Sequence, residues 1–323
     1  MDTDERSDHR DRTTGLILFG IIAVLAGVLC AAMVPLTLAA VALGDSLADL
    51  GTTPMTLRTA APSMALYGSL AVVLVWLGVG SVRCRRWARP LLLIIAWLWL
   101  AVGVLGMAVV VAIGPGIYSE MTASGLLSPG SVALVQVLTY GVVGLLYVVL
   151  PALMVLFYRS PDVAATCRVR DPQPRWTDDF PTAVLSLLVL YALTVVLILM
   201  MPAYAVVVPF FGLVLDGPVA WAIMLGSLFV CVWLGWETFR LRPSAWWCGV
   251  AVVSLASVSV MITFLRVAPV ELYRSMQLPP EQLELLHRSG LDGLWLSQAL
   301  VAVTWLSFVA YMVHVRRWFL AGE

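Results

Sequence analysis

The chain has 323 residues, 61% hydrophobic and 12% charged, whereas an ordinary soluble domain is roughly half apolar and about a quarter charged. Nineteen basic residues balance nineteen acidic ones, which removes any electrostatic argument for a nucleic-acid partner. The apolar excess argues against a soluble fold and for lipid as the solvent, since runs of about twenty apolar residues can each cross a ~30 Å hydrocarbon core.

Residues 1–14 are polar and of mixed charge. The apolar stretch behind them, Gly15 to Leu43, extends far beyond the roughly 7 to 15 residues of a signal core, so it is expected to be a retained first span. Further apolar segments run from Ser63 to Val82, Pro90 to Ile113, Ser131 to Tyr158, Pro181 to Met201, Pro218 to Phe239, Ala245 to Val267 and Leu294 to Trp318. They are apolar on every face, unlike the alternating strands of a membrane barrel. The expected fold is therefore all-α, with eight transmembrane helices.

The two halves resemble each other. Val75-Trp76-Leu77-Gly78, followed by Arg83 and Arg85, matches Val232-Trp233-Leu234-Gly235, followed by Arg240 and Arg242. Ile117-Tyr118-Ser119-Glu120-Met121 matches Leu272-Tyr273-Arg274-Ser275-Met276, Met33-Val34-Pro35 parallels Met200-Met201-Pro202, and Leu134 to Leu138 parallels Leu296 to Leu300. Four matches in one order argue for duplication: a first repeat over 15–158, a linker over 159–180, a second repeat over 181–318 and a tail over 319–323. An even number of spans per half makes such repeats parallel, related by an axis along the membrane normal.

All basic residues are Arg, and neither Lys nor Asn occurs. We read this as GC-rich coding and expect a bacterial source, hence the inner (plasma) membrane. With the N-terminus inside, the cytoplasmic side collects Arg6, Arg10, Arg12, Arg83, Arg85, Arg86, Arg89, Arg159, Arg168, Arg170, Arg175, Arg240, Arg242, Arg316 and Arg317. The other side receives only Arg58, Arg266, Arg274 and Arg288. Basic residues in short loops stay cytoplasmic, so both termini are expected inside.

Three segments depart from simple spans. The apolar run from Pro181 to Leu215 would measure about 50 Å as one helix, too long for a bilayer, so Pro202 and Pro209 should divide it. The piece through Phe210 and Phe211 should then lie in the outer leaflet or against protein. Pro35 should break the first helix less fully. Trp176-Thr177-Asp178-Asp179 before Pro181 has the form of a helix start, and Pro279 to Leu286 reads as a short amphipathic helix lying at the membrane face.

Candidate functional residues are few. Gln136 and Gln298, at matching positions of the last helix in each half, could line a substrate path. Their alternative is an interhelical hydrogen bond of about 0.6 kcal/mol. Glu237 is the one acid inside the inner end of a span, and an interfacial ion pair with Arg240, three residues on, would account for it. His314, ahead of Arg316 and Arg317, could relay protons or simply sit at the interface. The loops with Arg83, Arg85, Arg86 and Arg89, and with Arg240 and Arg242, set topology and attract anionic headgroups. Cys248, Ala251, Ser254 and Ser257 in the seventh span, and Gly103 and Gly106 in the third, read as packing faces. Asp171, Asp178 and Asp179, near Cys167, could hold a divalent ion, with capping as the alternative.

The five cysteines show no C-x-x-C spacing, and no phosphate-binding loop, H-E-x-x-H or G-x-S-x-G is present. His9, His287 and His314 belong to separate regions. The sequence thus predicts no catalytic site, no metal and no cofactor. Its expected partners are the lipid bilayer and either another membrane protein or a second copy of the chain. An accessory or scaffold subunit is the leading expectation, and a permease or channel for a small neutral or lipid-like solute is its rival.

Overall fold

A computed structural model describes residues 10–44, 56–123, 128–203, 205–275 and 294–320. Eight helices are long and apolar enough to cross a membrane. They are α1 (Thr13–Ala42), α2 (Leu57–Val82), α3 (Ala88–Ala123) and α4 (Pro129–Arg159), then α6 (Thr182–Met200), α7 (Gly217–Phe239), α8 (Pro243–Arg266) and α10 (Leu294–Leu320). Shorter helices are α5 (Pro161–Arg170) and α9 (Pro269–Ser275), and the two strands are β1 (Val208–Phe210) and β2 (Leu213–Leu215). This is the architecture of a multi-pass membrane protein. Large apolar side chains point outward along the helices, with Leu29, Val72 and Phe229 about 70% exposed, and hydrocarbon is the solvent that suits such a surface. The expected amphipathic helix over Pro279 to Leu286 lies outside the described residues.

The chain divides into two units, Met1–Leu185 and Ser186–Glu323. In the first unit, α1 and α2 pack most extensively. Lipid offers no hydrophobic drive for helices to associate, so close contact needs small residues at the seam. Gly20 and Gly78 provide it: a Cβ on Gly20 would lie 2.9 Å from the Gly78 carbonyl oxygen, and one on Gly78 would lie 2.7 Å from that of Gly20. Two turns further along, Gly27 rests against the Ala71 carbonyl in the same way. Across α3, Gly103 meets the backbone of Tyr147, while Gly106 faces open space. Of the two glycines expected to form a packing face there, only the first does so. Tyr147 sits in a π-helical turn, Leu145–Val149, inside α4.

Pro35 does not break α1, which continues to Ala42. Likewise α3 runs through Pro115 to Ala123, ten residues beyond the expected end at Ile113. One missing hydrogen bond costs less than exposing several unpaired backbone groups to lipid, which is why such helices absorb proline.

In the second unit the long run after Pro181 is indeed divided. α6 ends at Met200, a 3₁₀ turn spans Met201–Ala203, and β1 and β2 form an antiparallel hairpin. Its two turn residues, Phe211 and Gly212, have φ of 45° and 92°, the left-handed pair that suits a two-residue hairpin. The expected segment through Phe210 and Phe211 is therefore a hairpin against protein. Its turn N–H groups are satisfied by α8: Phe211 N–H donates to Ser259 Oγ (3.0 Å) and Gly212 N–H to Thr263 Oγ1 (3.0 Å), while Ser259 donates to the Pro209 carbonyl (3.3 Å). Both hydroxyls are buried.

Both basic turns close alike. After α2, Cys84 adopts φ 51°, with N–H bonds from Cys84 to Ser81 O and from Arg85 to Gly80 O. After α7, Leu241 adopts φ 54°, with N–H bonds from Leu241 to Thr238 O and from Arg242 to Glu237 O. Each is a Schellman cap, usually built on glycine.

Two substitutions test this packing. Gly78→Leu forces side-chain atoms into the α1 backbone and is expected to destabilise the first unit by about 1–3 kcal/mol, whereas Gly106→Leu should be nearly neutral in a thermal-shift comparison. Thr263→Val strands the buried Gly212 N–H and should cost about 1–3 kcal/mol, with faster amide exchange at Phe211 and Gly212.

Candidate functional site

The polar chemistry of the first unit gathers where α1 and α3 begin and α2 and α4 end. Ser81, buried near the end of α2, donates to the Leu16 carbonyl of α1 (2.9 Å) and lies 2.8 Å from the Tyr158 hydroxyl of α4. Arg89, in the first turn of α3, donates from Nε to the Tyr158 carbonyl (3.0 Å) and from Nη2 to the Ser160 carbonyl (3.5 Å). Four spans are thereby tied at one end.

The segment after α4 folds onto that end. Arg12 N–H donates to Thr166 Oγ1 of α5 (3.2 Å), the Arg12 guanidinium meets Asp162 (3.5 Å), and Arg170 meets Asp11 (3.7 Å). Asp171 is the hub, only 3% exposed. It accepts from Arg85 Nη1 (3.4 Å), Arg175 Nη2 (3.3 Å) and the Arg86 backbone N–H (3.3 Å). Burial opposes its ionisation, but the Arg175 hydrogen bond, the Arg86 N–H and the charges of Arg175 and Arg85 outweigh burial and hold its carboxyl below the ordinary carboxylate range.

Asp178 bonds to Arg175 N–H (2.9 Å) across a 3₁₀ turn, Trp176–Asp178, and pairs with Arg86 (3.3 Å). It therefore caps that turn rather than α6, whose first bonds run to the Pro181 carbonyl. Among the described residues no group of three His, Cys, Asp or Glu could hold a metal ion. Asp171 and Asp178 are committed to arginines instead.

In the second unit Glu237 is buried, and its partner is Arg242, not the expected Arg240. Arg242 Nη1 lies 3.1 Å from Oε1 and 3.4 Å from Oε2, and Ser244 donates to Oε2 at 3.0 Å. The left-handed residue Leu241 explains the exchange, because it folds Arg242 back over Glu237. Arg240 keeps the helix direction and stacks on Trp236, 4.7 Å from the ring centroid.

His314 is exposed, with its ring 5.7 Å from that of Trp318 and 6.5 Å from that of Tyr311. Gln136 is half-buried, and its Nε2 lies 3.4 Å from the Tyr140 hydroxyl, one turn along the same helix. Gln298 is half-buried at the start of α10. Arg83 is exposed. In α8, Ser254 accepts from Trp305 Nε1 (3.0 Å), so one residue of the expected small-residue face is a hydrogen-bond acceptor between helices. Trp246 Nε1 donates to the Met312 carbonyl (2.6 Å).

Sequence reasoning missed Ser259, Thr263 and the cavity beside the hairpin. That cavity, about 250 Å³, is walled by Ile198, Met201, Val207, Val208, Pro209, Ile223, Met224 and Ser227. Its one hydroxyl, on Ser227, is spent on the Ile223 carbonyl (2.8 Å), so the walls suit an apolar guest.

The Asp171 hub predicts a pH signature. A carboxyl with a lowered folded-state pKa contributes stability above its unfolded value, near 4, and loses it as pH falls through the folded value. Asp171→Asn should therefore lower the melting temperature at neutral pH, by an amount equivalent to about 1–3 kcal/mol, and the gap to the wild type should close progressively below about pH 4. No family model matches this chain, and neither the curated proteins nor the solved structures contain a match to it.

Proposed function

We propose that this multi-pass membrane protein is a non-enzymatic accessory or scaffold subunit of a bacterial inner membrane. The observation that carries this reading is the placement of charge. Every Asp, Glu, His and Arg of the eight long helices falls within about two turns of a helix end. Ion-coupled pumps need such groups at mid-membrane. The charges instead build an ordered face on the first unit from Asp11, Arg12, Arg85, Arg86, Asp162, Arg170, Asp171 and Arg175. A face of that kind can hold a partner in fixed register, and we take it as cytoplasmic from the arginine bias.

We further infer two parallel four-span repeats. The matching Schellman turns support it, because Cys84 and Leu241 stand in register with the Val-Trp-Leu-Gly matches before them. The residues five positions later point the same way: Arg89 and Trp246 each donate to a carbonyl of the last long helix of their own unit, though at different depths.

The alternative reading, a permease or channel for a small neutral or lipid-like solute, is favoured by the apolar cavity beside the hairpin. Flux separates the two. In proteoliposomes the Gln136→Leu, Gln298→Leu double variant should leave any leak unchanged if the chain is a scaffold, whereas abolished solute flux would establish the permease. Crosslinking in native membranes from Arg170 should recover a second protein at fixed stoichiometry, and recovery of this chain alone counts against a dedicated partner. A reporter fused after Glu323 that is active only outside the cell would overturn the orientation.

A further inference from the structure

A second cavity, of about 190 Å³, opens at the basic end of the first unit. It could hold about six waters by volume, at ~30 Å³ each, or a phosphoryl group and its hydration. Its walls carry three guanidinium groups, from Arg86, Arg89 and Arg168, against one carboxylate, from Asp178. Burial pushes the neighbouring Cys167 thiol up to about 12, so it stays protonated and adds no negative charge. The positive dipole ends of two helices also terminate here, α3 through Arg89 and Pro90 and α6 through Thr182.

Two residues that line this cavity carry buried donors without acceptors. Thr177, 3% exposed, has a buried hydroxyl with no hydrogen-bond partner, and Arg86 has a buried Nε–H in the same condition. Buried polar groups are nearly always satisfied, so unpaired donors beside surplus positive charge mark a place for an acceptor-rich guest. Trp87 stacks on Trp76, ring centroids 4.3 Å apart, and Trp176 is half-exposed, and tryptophans of this kind are enriched at the headgroup level of a bilayer.

We propose that this cavity binds a phosphate-type anion of one or two negative charges, held by Arg86, Arg89 and Arg168 with the Thr177 hydroxyl as an additional donor. Asp178 opposes the anion and limits its charge, since three cations and one carboxylate leave a surplus of two. The site stands whether the protein scaffolds a partner or passes a solute, because it uses neither the apolar cavity nor the two glutamines. A free phosphate and the phosphate of a lipid headgroup share this chemistry.

The test uses the full chain. Its melting temperature is measured in detergent against inorganic phosphate, and in nanodiscs of phosphatidylcholine with and without phosphatidic acid. Native mass spectrometry then reads which lipid is retained. Stabilisation by inorganic phosphate assigns the site to a free anion. Stabilisation only by phosphatidic acid assigns it to a headgroup.

In either case Arg168→Gln, at an exposed position, should weaken the affinity about fivefold, while Arg83→Gln, outside the cavity, should not. Thr177→Val should also weaken binding without lowering the melting temperature of the ligand-free protein, because it removes an unpaired hydroxyl. No stabilisation by either probe overturns the proposal. So does an equal loss in Arg168→Gln and Arg83→Gln, which would mean diffuse surface attraction.

Discussion

Hydrocarbon cannot accept or donate a hydrogen bond, so each peptide group inside the bilayer must find its partner within the protein. The long helices meet this demand along their own length, and α1 and α3 continue through Pro35 and Pro115 because stopping would expose more than one broken bond. The same demand shapes the exceptions. Where the chain leaves helical geometry between α6 and α7, it forms a hairpin whose turn amides rest on Ser259 and Thr263. Where it turns between α2 and α3, or between α7 and α8, a Schellman cap satisfies two of the freed carbonyls without side-chain help.

Contact between helices follows from that constraint. With apolar surface matched to lipid, what remains is close backbone approach and local hydrogen bonding. Gly20 and Gly78 supply the first between α1 and α2. Ser81 with Tyr158, Trp305 with Ser254, and Trp246 with the Met312 carbonyl supply the second. In the first unit these bonds lie toward the helix ends, and among the described residues the middle of its spans is held by van der Waals packing.

Features that depend on local composition were legible in the sequence. Every one of the eight apolar segments became a helix, and the excess length after Pro181 was divided near Met201. Features that depend on a remote partner were not. Ser259 and Thr263 look like any hydroxyls of an apolar helix until the hairpin some fifty residues earlier is folded against them. Glu237 could be given to Arg240 by helical spacing alone, because the left-handed turn at Leu241 that hands it to Arg242 carries no glycine to announce it. The basic loop read as a topological signal, yet the cavity it walls also needs α5 and the 3₁₀ turn, brought in by contacts to Asp171.

The latch between the start of α1 and α5 has a consequence for biosynthesis. Arg12 waits for Thr166, a partner 154 residues further along the chain, so the leading residues leave the ribosome long before anything exists to fasten them. Closing so distant a contact is slow relative to forming a helix. The polar rim of the first unit must therefore be sealed late, after its fourth long helix has been made, and until then the nascent chain is a set of rods without a clasp.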